Sequence, residues 1–361
     1  MIETTEYYVE GVFLLIIGTF GIIGNVSAIV VFTRQNLQKS FYGLMLSLAA
    51  FDLLYIITSI LCYGIPPLSD EYEESKMYNS NFYWIRALSK IAMTGSIYFT
   101  MAITVERYVT VCHPFYRVSH SWPTKRFVLF LVVFAILYNI PSFFELEPKE
   151  INDLLEDGGG WRTYIQKDYP TKMRANQYYY QIYVMWLSLL LMSIGPFVLL
   201  VVLNALIVQE LIKLSRGNNI IAGPGSPSNR GKDIVLAKVS LAIVFVFILC
   251  HSVKWIPNVY ELMYPMWVPD NHDWPNWIKI ITHFSHLALV FNSSVNFYIY
   301  LGKHWRTIFN IPESSASNET EMTRLPTSVV THKMSQISQK QNPDCPDQSV
   351  NQKLLSDNNE S

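Results

Sequence analysis

Two asparagines and two serines stand in FNSSVNFYIY, Phe291 to Tyr300, inside one of the most apolar runs of the chain. On a helix Asn292, Asn296 and Tyr300 fall four residues apart on one face, with Ser293 one step round it. Asp52, in SLAAFDLL, is a carboxylate within a second apolar run, where facing lipid would cost on the order of 3 kcal/mol. Asn25 in another run, and Ser96 and Thr100 in a further one, add more oxygens. Drawn together, these side chains make one polar cage around Asp52, and a hard cation is the ligand that wants several oxygens at once. Each residue taken alone has another reading, a separately satisfied helix–helix hydrogen bond. Other chemistry is sparse. His283 and His286, at i, i+3, could share a metal, but no third ligand is evident. With no nucleophile–base pair and no metal motif, an enzyme is not expected.

Residues of this kind need apolar elements to hold them. The chain has 361 residues, 50% hydrophobic and 15% charged, against roughly 25% charged in an average soluble domain. About 20 apolar residues cross a hydrocarbon core about 30 Å thick. Runs of that length lie near Gly11 to Thr33, Tyr42 to Ile65, Phe82 to Val111, Phe127 to Phe144, Tyr183 to Val208, Val239 to Met263 and Trp277 to Leu301. The first lacks a basic n-region and a small-residue cleavage site, so it reads as a retained span rather than a signal peptide. The chain is thus expected to be an all-α membrane protein, a seven-transmembrane helix bundle over residues 11–302 with a short outer N-terminus, 1–10.

Lysine and arginine set the orientation. Arg34, Lys39, Arg117, Lys125, Arg126, Lys213, Arg216, Arg230, Lys232, Lys303 and Arg306 flank one side, whereas Glu3, Glu6, Glu10, Asp70 to Glu74, Glu145 to Asp157, Asp270 and Asp273 flank the other. The basic side faces the cytosol, the N-terminus lies outside and the lipid bilayer surrounds the spans. The net charge of -1 points to no nucleic-acid partner. GNNIIAGPGSPSNRG, Gly217 to Gly231, is expected to stay flexible. Residues 303–311 are expected to form an amphipathic cytoplasmic helix, followed by a disordered tail over 312–361.

The motifs in these spans resemble the rhodopsin (class A) family of G-protein-coupled receptors. Gly24–Asn25, LAAFD ending at Asp52, ERYVTVCHP from Glu106 to Pro114, Pro196, KWIP around Trp255 and Pro257, and NFYIY from Asn296 to Tyr300 occur in family order, each on its expected helix. The resemblance implies a plasma-membrane receptor working through a heterotrimeric G protein, with receptor kinases and arrestin as later partners. It assigns coupling and activation to Glu106, Arg107, Tyr108, Trp255, Pro257, Asn296 and Tyr300. It also places Asp52, Ser96, Asn292, Ser293 and Asn296 on the family's sodium positions, and implies no other cofactor.

Ser89 stands where amine receptors carry an aspartate and Val290 where opsins carry the retinal lysine, which leaves peptide receptors. YNIPSFFELE, YPTKMRANQYYYQIYVMW and FNSSVNFYIY look most like invertebrate FMRFamide-type neuropeptide receptors. An outward cup between helices three, five, six and seven is expected to be lined by Lys90, Met93, Trp186, Tyr260, Glu261, His283 and Phe284, with Trp255 as its floor. An extracellular amidated peptide ending in Arg-Phe would need a carboxylate for its guanidinium, from Glu261 and the acidic loop. It would also need aromatic walls, from Trp186, Tyr260 and Phe284. Against this, Glu261 could face interfacial water and the aromatics could form a membrane belt. A transporter or channel using the Asp52 cage is the alternative function.

The chain also departs from the family pattern. Phe297 replaces the proline of the seventh-helix motif, Asn204 stands in place of the fifth-helix tyrosine, and Ala237 replaces the sixth-helix acid, leaving Arg107 with Glu106 alone. Phe82 occupies the third-helix position of the family disulfide and the second outer loop has no cysteine. That loop, Glu145 to Asn176, must then be held by a turn at Gly158 to Gly160, by charge pairs, or not at all. Lys254, deep in the sixth span, has two readings. Its ammonium reaches Asn292 and the Asp52 cage as a tethered cation in place of sodium, or it snorkels to the outer cavity or stays neutral.

Overall fold

In the computed structural model of the chain, residues 2–34, 40–114, 124–154, 161–216, 227–264 and 274–308 are described. Seven long helical elements carry the bundle: α1 Ile2–Thr33, α2 Ser40–Gly64, α3 Lys76–Cys112, α4 Thr124–Phe144, α5 Gln177–Lys213, α6 Ile234–Met263 and α7 Asn276–Ile308. The first six are long and apolar enough to cross a membrane. The seventh carries Lys279, His283, His286, Asn292 and Asn296, the polar residues that set it apart. One compact unit spans Met1–Trp305; of the other, Arg306–Ser361, only residues 306–308 are described.

Burial follows the solvent each face meets. Phe20, Leu129, Leu137, Val198 and Phe245 point outward, which suits helices whose surroundings are hydrocarbon rather than water. Inside, Leu14, Tyr55, Ile56, Ala92, Leu289 and Val290 join α1, α2, α3 and α7, while Ile97, Met192, Leu200, Val244 and Phe247 join α3, α5 and α6. Gly95 lets α2 approach α3 closely, since a Cβ there would stand 2.0 Å from Phe51 Cδ1. Pro257 lies inside α6, where it removes a backbone donor.

Several boundaries differ from those the sequence predicts. Residues 2–10 are already part of α1, which runs through a π-helical stretch, Tyr7–Phe13. Within the linker 217–231, residues 217–226 are outside the described residues, and the helix of α6 extends back to Pro227. Residues 303–308 continue α7 without a break, whereas 309–311 and the tail over 312–361 lie outside the described residues.

The segment after α4 is not a bare loop. Strands β1 (Leu146–Leu154) and β2 (Trp161–Pro170) form an antiparallel hairpin with Leu146 opposite Pro170 and Leu154 opposite Trp161. Pairing slips between Glu147 and Lys149, at Pro148, which has no N–H for the ladder. Leu146 anchors the hairpin in an apolar cluster with Cys62, Tyr78 and Phe82. Cys62, Cys112 and Cys250 are in no disulfide.

Candidate functional site

A cavity of about 400 Å³ opens at the hairpin end of the bundle. Its walls come from α3, α4, α5 and α6, so α4 takes the place that the sequence reading assigns to the seventh helix. Lys90, Met93, Glu261 and Trp255 line it, and Trp255 packs against Phe197 with ring centroids 4.9 Å apart.

Four residues expected in the cavity lie elsewhere. Trp186 is 61% exposed on the outer face of the bundle. The reason is local: α5 contains two π-helical stretches, Tyr180–Leu187 and Leu189–Ile194, and their wider turns change the phase that a 3.6-residue period assumes. Phe284 is 48% exposed. Tyr260 joins an aromatic group with Tyr264, Trp274 and Trp277. His283 turns to Glu10, with Nδ1 3.1 Å from its carboxylate, and His286 Nδ1 meets the same oxygen at 2.6 Å. The helical N-terminus brings Glu10 against α7, a contact that no local spacing announces. Among the described residues no group of three such side chains is arranged to hold a metal ion.

Sequence reading missed the residue that organises the cavity mouth. Arg174, in the turn after β2, lies 3.1 Å from Glu261 and 3.7 Å from Glu145, and its guanidinium sits 5.3 Å from the Tyr180 ring centroid. Glu145 also takes Lys90 at 2.7 Å and the Tyr179 hydroxyl at 3.0 Å. Burial by itself would push the Glu145 carboxyl up, but Lys90 and Arg174 hold it down at about 2. Tyr180 donates to Glu261 at 3.2 Å. Glu261 was legible as a candidate acid, but its cation comes from a loop with no periodic signal.

Lys254 points into this cavity. Its ammonium meets Met93 Sδ at 3.2 Å, and neither Asp52 nor Asn292 is among its partners. The tethered-cation geometry is therefore replaced by the snorkelling one: the lysine turns towards α3 and the outer cavity instead of α7.

Below the cavity, Asp52 is fully buried and central to a polar cluster. Ser96 Oγ donates to its Oδ1 at 2.6 Å and Asn296 Nδ2 to its Oδ2 at 2.7 Å. Asn25 stands one step out, donating to the Ser293 carbonyl at 2.9 Å. The Oδ1 atoms of Asn292 and Asn296 are buried and unpartnered among the described residues. The orphaned Oδ1 of Asn296, whose amide nitrogen holds Asp52, fits a hard cation, which offers no hydrogen bond but takes oxygen ligands.

At the opposite end Arg107 is 3% exposed, ion-paired with its neighbour Glu106 and stacked on Phe41, whose ring centroid is 4.4 Å from the guanidinium carbon. Its Nη1 has no partner among the described residues. Ala237 is fully buried and offers no charge, and Asn204 bonds to the Leu200 carbonyl of its own helix at 2.6 Å. Tyr300 packs edge-on to Phe32 at 5.0 Å, and Tyr108 reaches His113 at 3.1 Å.

The family model described as the 7 transmembrane receptor (rhodopsin family) matches residues 24–300. The chain is similar to the FMRFamide receptor of Drosophila melanogaster, 30% identical over 84% of this chain and 53% of that protein. It is similar to the FMRFamide peptide receptor frpr-18 of Caenorhabditis elegans, 26% identical over 80% of this chain and 64% of that protein. The vasopressin V2 receptor of Bos taurus is 25% identical over 60% of this chain and 57% of that protein. The chain spans about half the length of the Drosophila relative.

Proposed function

The chain belongs to the rhodopsin family of seven-transmembrane receptors, and on that premise we propose that it is a plasma-membrane receptor for an amidated, FMRFamide-like neuropeptide. In this reading the hairpin end faces outward and the Arg107 end faces the cytosol. The observation that carries the proposal is the cavity mouth, where Glu145 and Glu261 hold Arg174 between them. That internal guanidinium marks a place built for a planar cation, because two carboxylates accept such a fork with geometric selectivity. A peptide arginine takes the same place, displacing Arg174 from Glu261. Tyr180, which already faces Arg174 and Glu261, supplies an aromatic wall.

Signal transfer runs along α3. Lys90 and Met93 line the cavity, Ser96 holds Asp52, and Arg107 lies 17 residues beyond Lys90, about 25 Å along a helix. Agonist binding favours the arrangement that frees Arg107 from Glu106 and Phe41, a shift in population between two states. The freed end engages a heterotrimeric G protein, and receptor kinases and arrestin follow. Asp52, Ser96, Asn292, Ser293 and Asn296 hold sodium in the resting state, a role supported by the orphaned amide oxygen of Asn296.

The experiment is a screen of amidated peptides on cells expressing the full chain with a promiscuous G protein and a calcium reporter. A saturable response to peptides ending in Arg-Phe-amide, lost with the free acids, supports the reading. Silence across the set at verified surface expression overturns it.

A further inference from the structure

The cavity holds more positive charge than it pairs. Its lining includes four cations, Arg86, Lys90, Arg174 and Lys254, against two carboxylates, Glu145 and Glu261. Glu145 is shared by Lys90 and Arg174, and Glu261 is taken by Arg174. Arg86 and Lys254 have no carboxylate partner among the described residues. Lys254 is the deeper of the two, one residue from Trp255, and among the described residues its ammonium meets only the thioether of Met93, at 3.2 Å. Lys254 is half-buried, and sulfur is a weak acceptor, a poor substitute for the water its ammonium gives up on that side. Arg86 and, in the opposite sense, Glu261 are both close enough to act on the same ammonium through space, but neither touches it. A cation kept at this depth with no carboxylate of the described residues in contact, facing an open cavity, is complementary to whatever brings an anion to it.

We propose that the floor of the cavity is a subsite for a carboxylate on the ligand, with Lys254 as its donor and Arg86 adding to the field. The inference rests on the peptide-receptor reading and narrows it: the ligand carries an acidic residue as well as its arginine. Lys254 and Glu261 are seven residues apart on α6, about 10 Å along the axis. An extended peptide covers that distance in about three residues. The acid therefore stands about three residues from the arginine, too far for the two to neutralise each other locally.

The test uses the full chain in membranes and hexapeptide to octapeptide amides ending in Arg-Phe-amide. A single Asp is walked along the positions before the Arg, each peptide matched with its Asn counterpart. The expected result is one position, about three residues before the Arg, where Asp binds about tenfold or more tightly than Asn, the scale of one charge-assisted hydrogen bond. Lys254→Met should erase that preference while the neutral peptides keep their affinity, and Lys254→Arg should retain it. Asp no better than Asn at every position, or a preference that survives Lys254→Met, overturns the subsite while leaving the peptide reading intact. If no peptide in the set binds, the peptide reading fails and a second measurement decides the subsite by itself. Millimolar N-acetylaspartate amide should raise the melting temperature of the purified native receptor, and leave that of Lys254→Met unchanged. A shift equal in both proteins, or absent from both, refutes the carboxylate subsite.

Discussion

Lys90 Nζ and Glu145 Oε2 meet at 2.7 Å where α3 faces the start of the hairpin, and the Glu145 side chain is only 2% exposed. The pair stands in the region where the family pattern has a disulfide between the third helix and this loop. Here the tie is ionic and apolar instead: Glu145 binds Lys90 and Arg174, and the next residue, Leu146, packs on Phe82 and Tyr78.

Glu145→Gln should destabilise the outer half of the protein by about 3 kcal/mol, because it removes the shared anion and leaves Lys90 and Arg174 facing each other. The pH dependence follows from the depressed carboxyl, held at about 2 against an ordinary value of 4.5. Its stabilisation is fully present above about pH 4.5 and is lost as pH falls from there through 2. Melting temperatures of native and Glu145→Gln receptor in detergent should differ by a constant amount from pH 7 to 5 and converge below 4.5. A gap that instead widens on acidification contradicts the ion-pair assignment.

Reductant should leave the outer half intact. Phe82, Tyr78, Cys62 and Leu146 hold it by packing, and the Tyr78 hydroxyl donates to the Cys62 carbonyl at 2.9 Å. Ligand binding should be unchanged in dithiothreitol, whereas Phe82→Ala should cost about 3–5 kcal/mol. Loss of binding in reductant, measured on intact cells, counts against this arrangement.

Sodium should act through Asp52. Lys254 turns to Met93, and Asp52 is held by Ser96 and Asn296. Replacing choline by sodium at constant ionic strength should raise the melting temperature of the native receptor. Asp52→Asn should abolish the shift. Equal shifts in the two proteins would rule the cage out as the sodium site.

Arg107→Ala should abolish G-protein activation and keep agonist binding, since Arg107 lies at the far end of α3 from the cavity. It is paired with Glu106 and stacked on Phe41, contacts that the proposed activation would have to break. Undiminished signalling at matched surface level would overturn the role given to this residue.

Gly95→Ala should cost about 1–3 kcal/mol through overpacking. The new methyl would stand 2.0 Å from Phe51 Cδ1, and Phe51 is already packed on Phe99 with centroids 5.4 Å apart. An unchanged melting temperature would show that the Phe51 ring moves freely aside.

The spans, their order and the need of Asp52 for polar partners inside the bundle were legible in the chain itself. Long apolar runs and a buried Asp52 have one economical outcome in lipid, because backbone groups must bond within each helix and a carboxylate must find partners inside the bundle. Asn296 shares a helical face with Asn292 and Tyr300 in the sequence, Ser96 offers an oxygen in a neighbouring apolar run that the family resemblance also assigns to the cluster, and both meet Asp52. Trp186, expected in the cup, lies outside it on α5, whose π-helical turns change the phase of the helix.

What only the tertiary structure decided is which charges meet. Arg174 reaches Glu261 across 87 residues, Glu10 reaches His286 across 276, and Lys254 chooses Met93 across 161. Local sequence determines which face of a helix a side chain occupies, through a repeat of a few residues. Ion pairs between distant segments depend on how hairpins and helix ends are carried over the bundle, and no period in the chain encodes that.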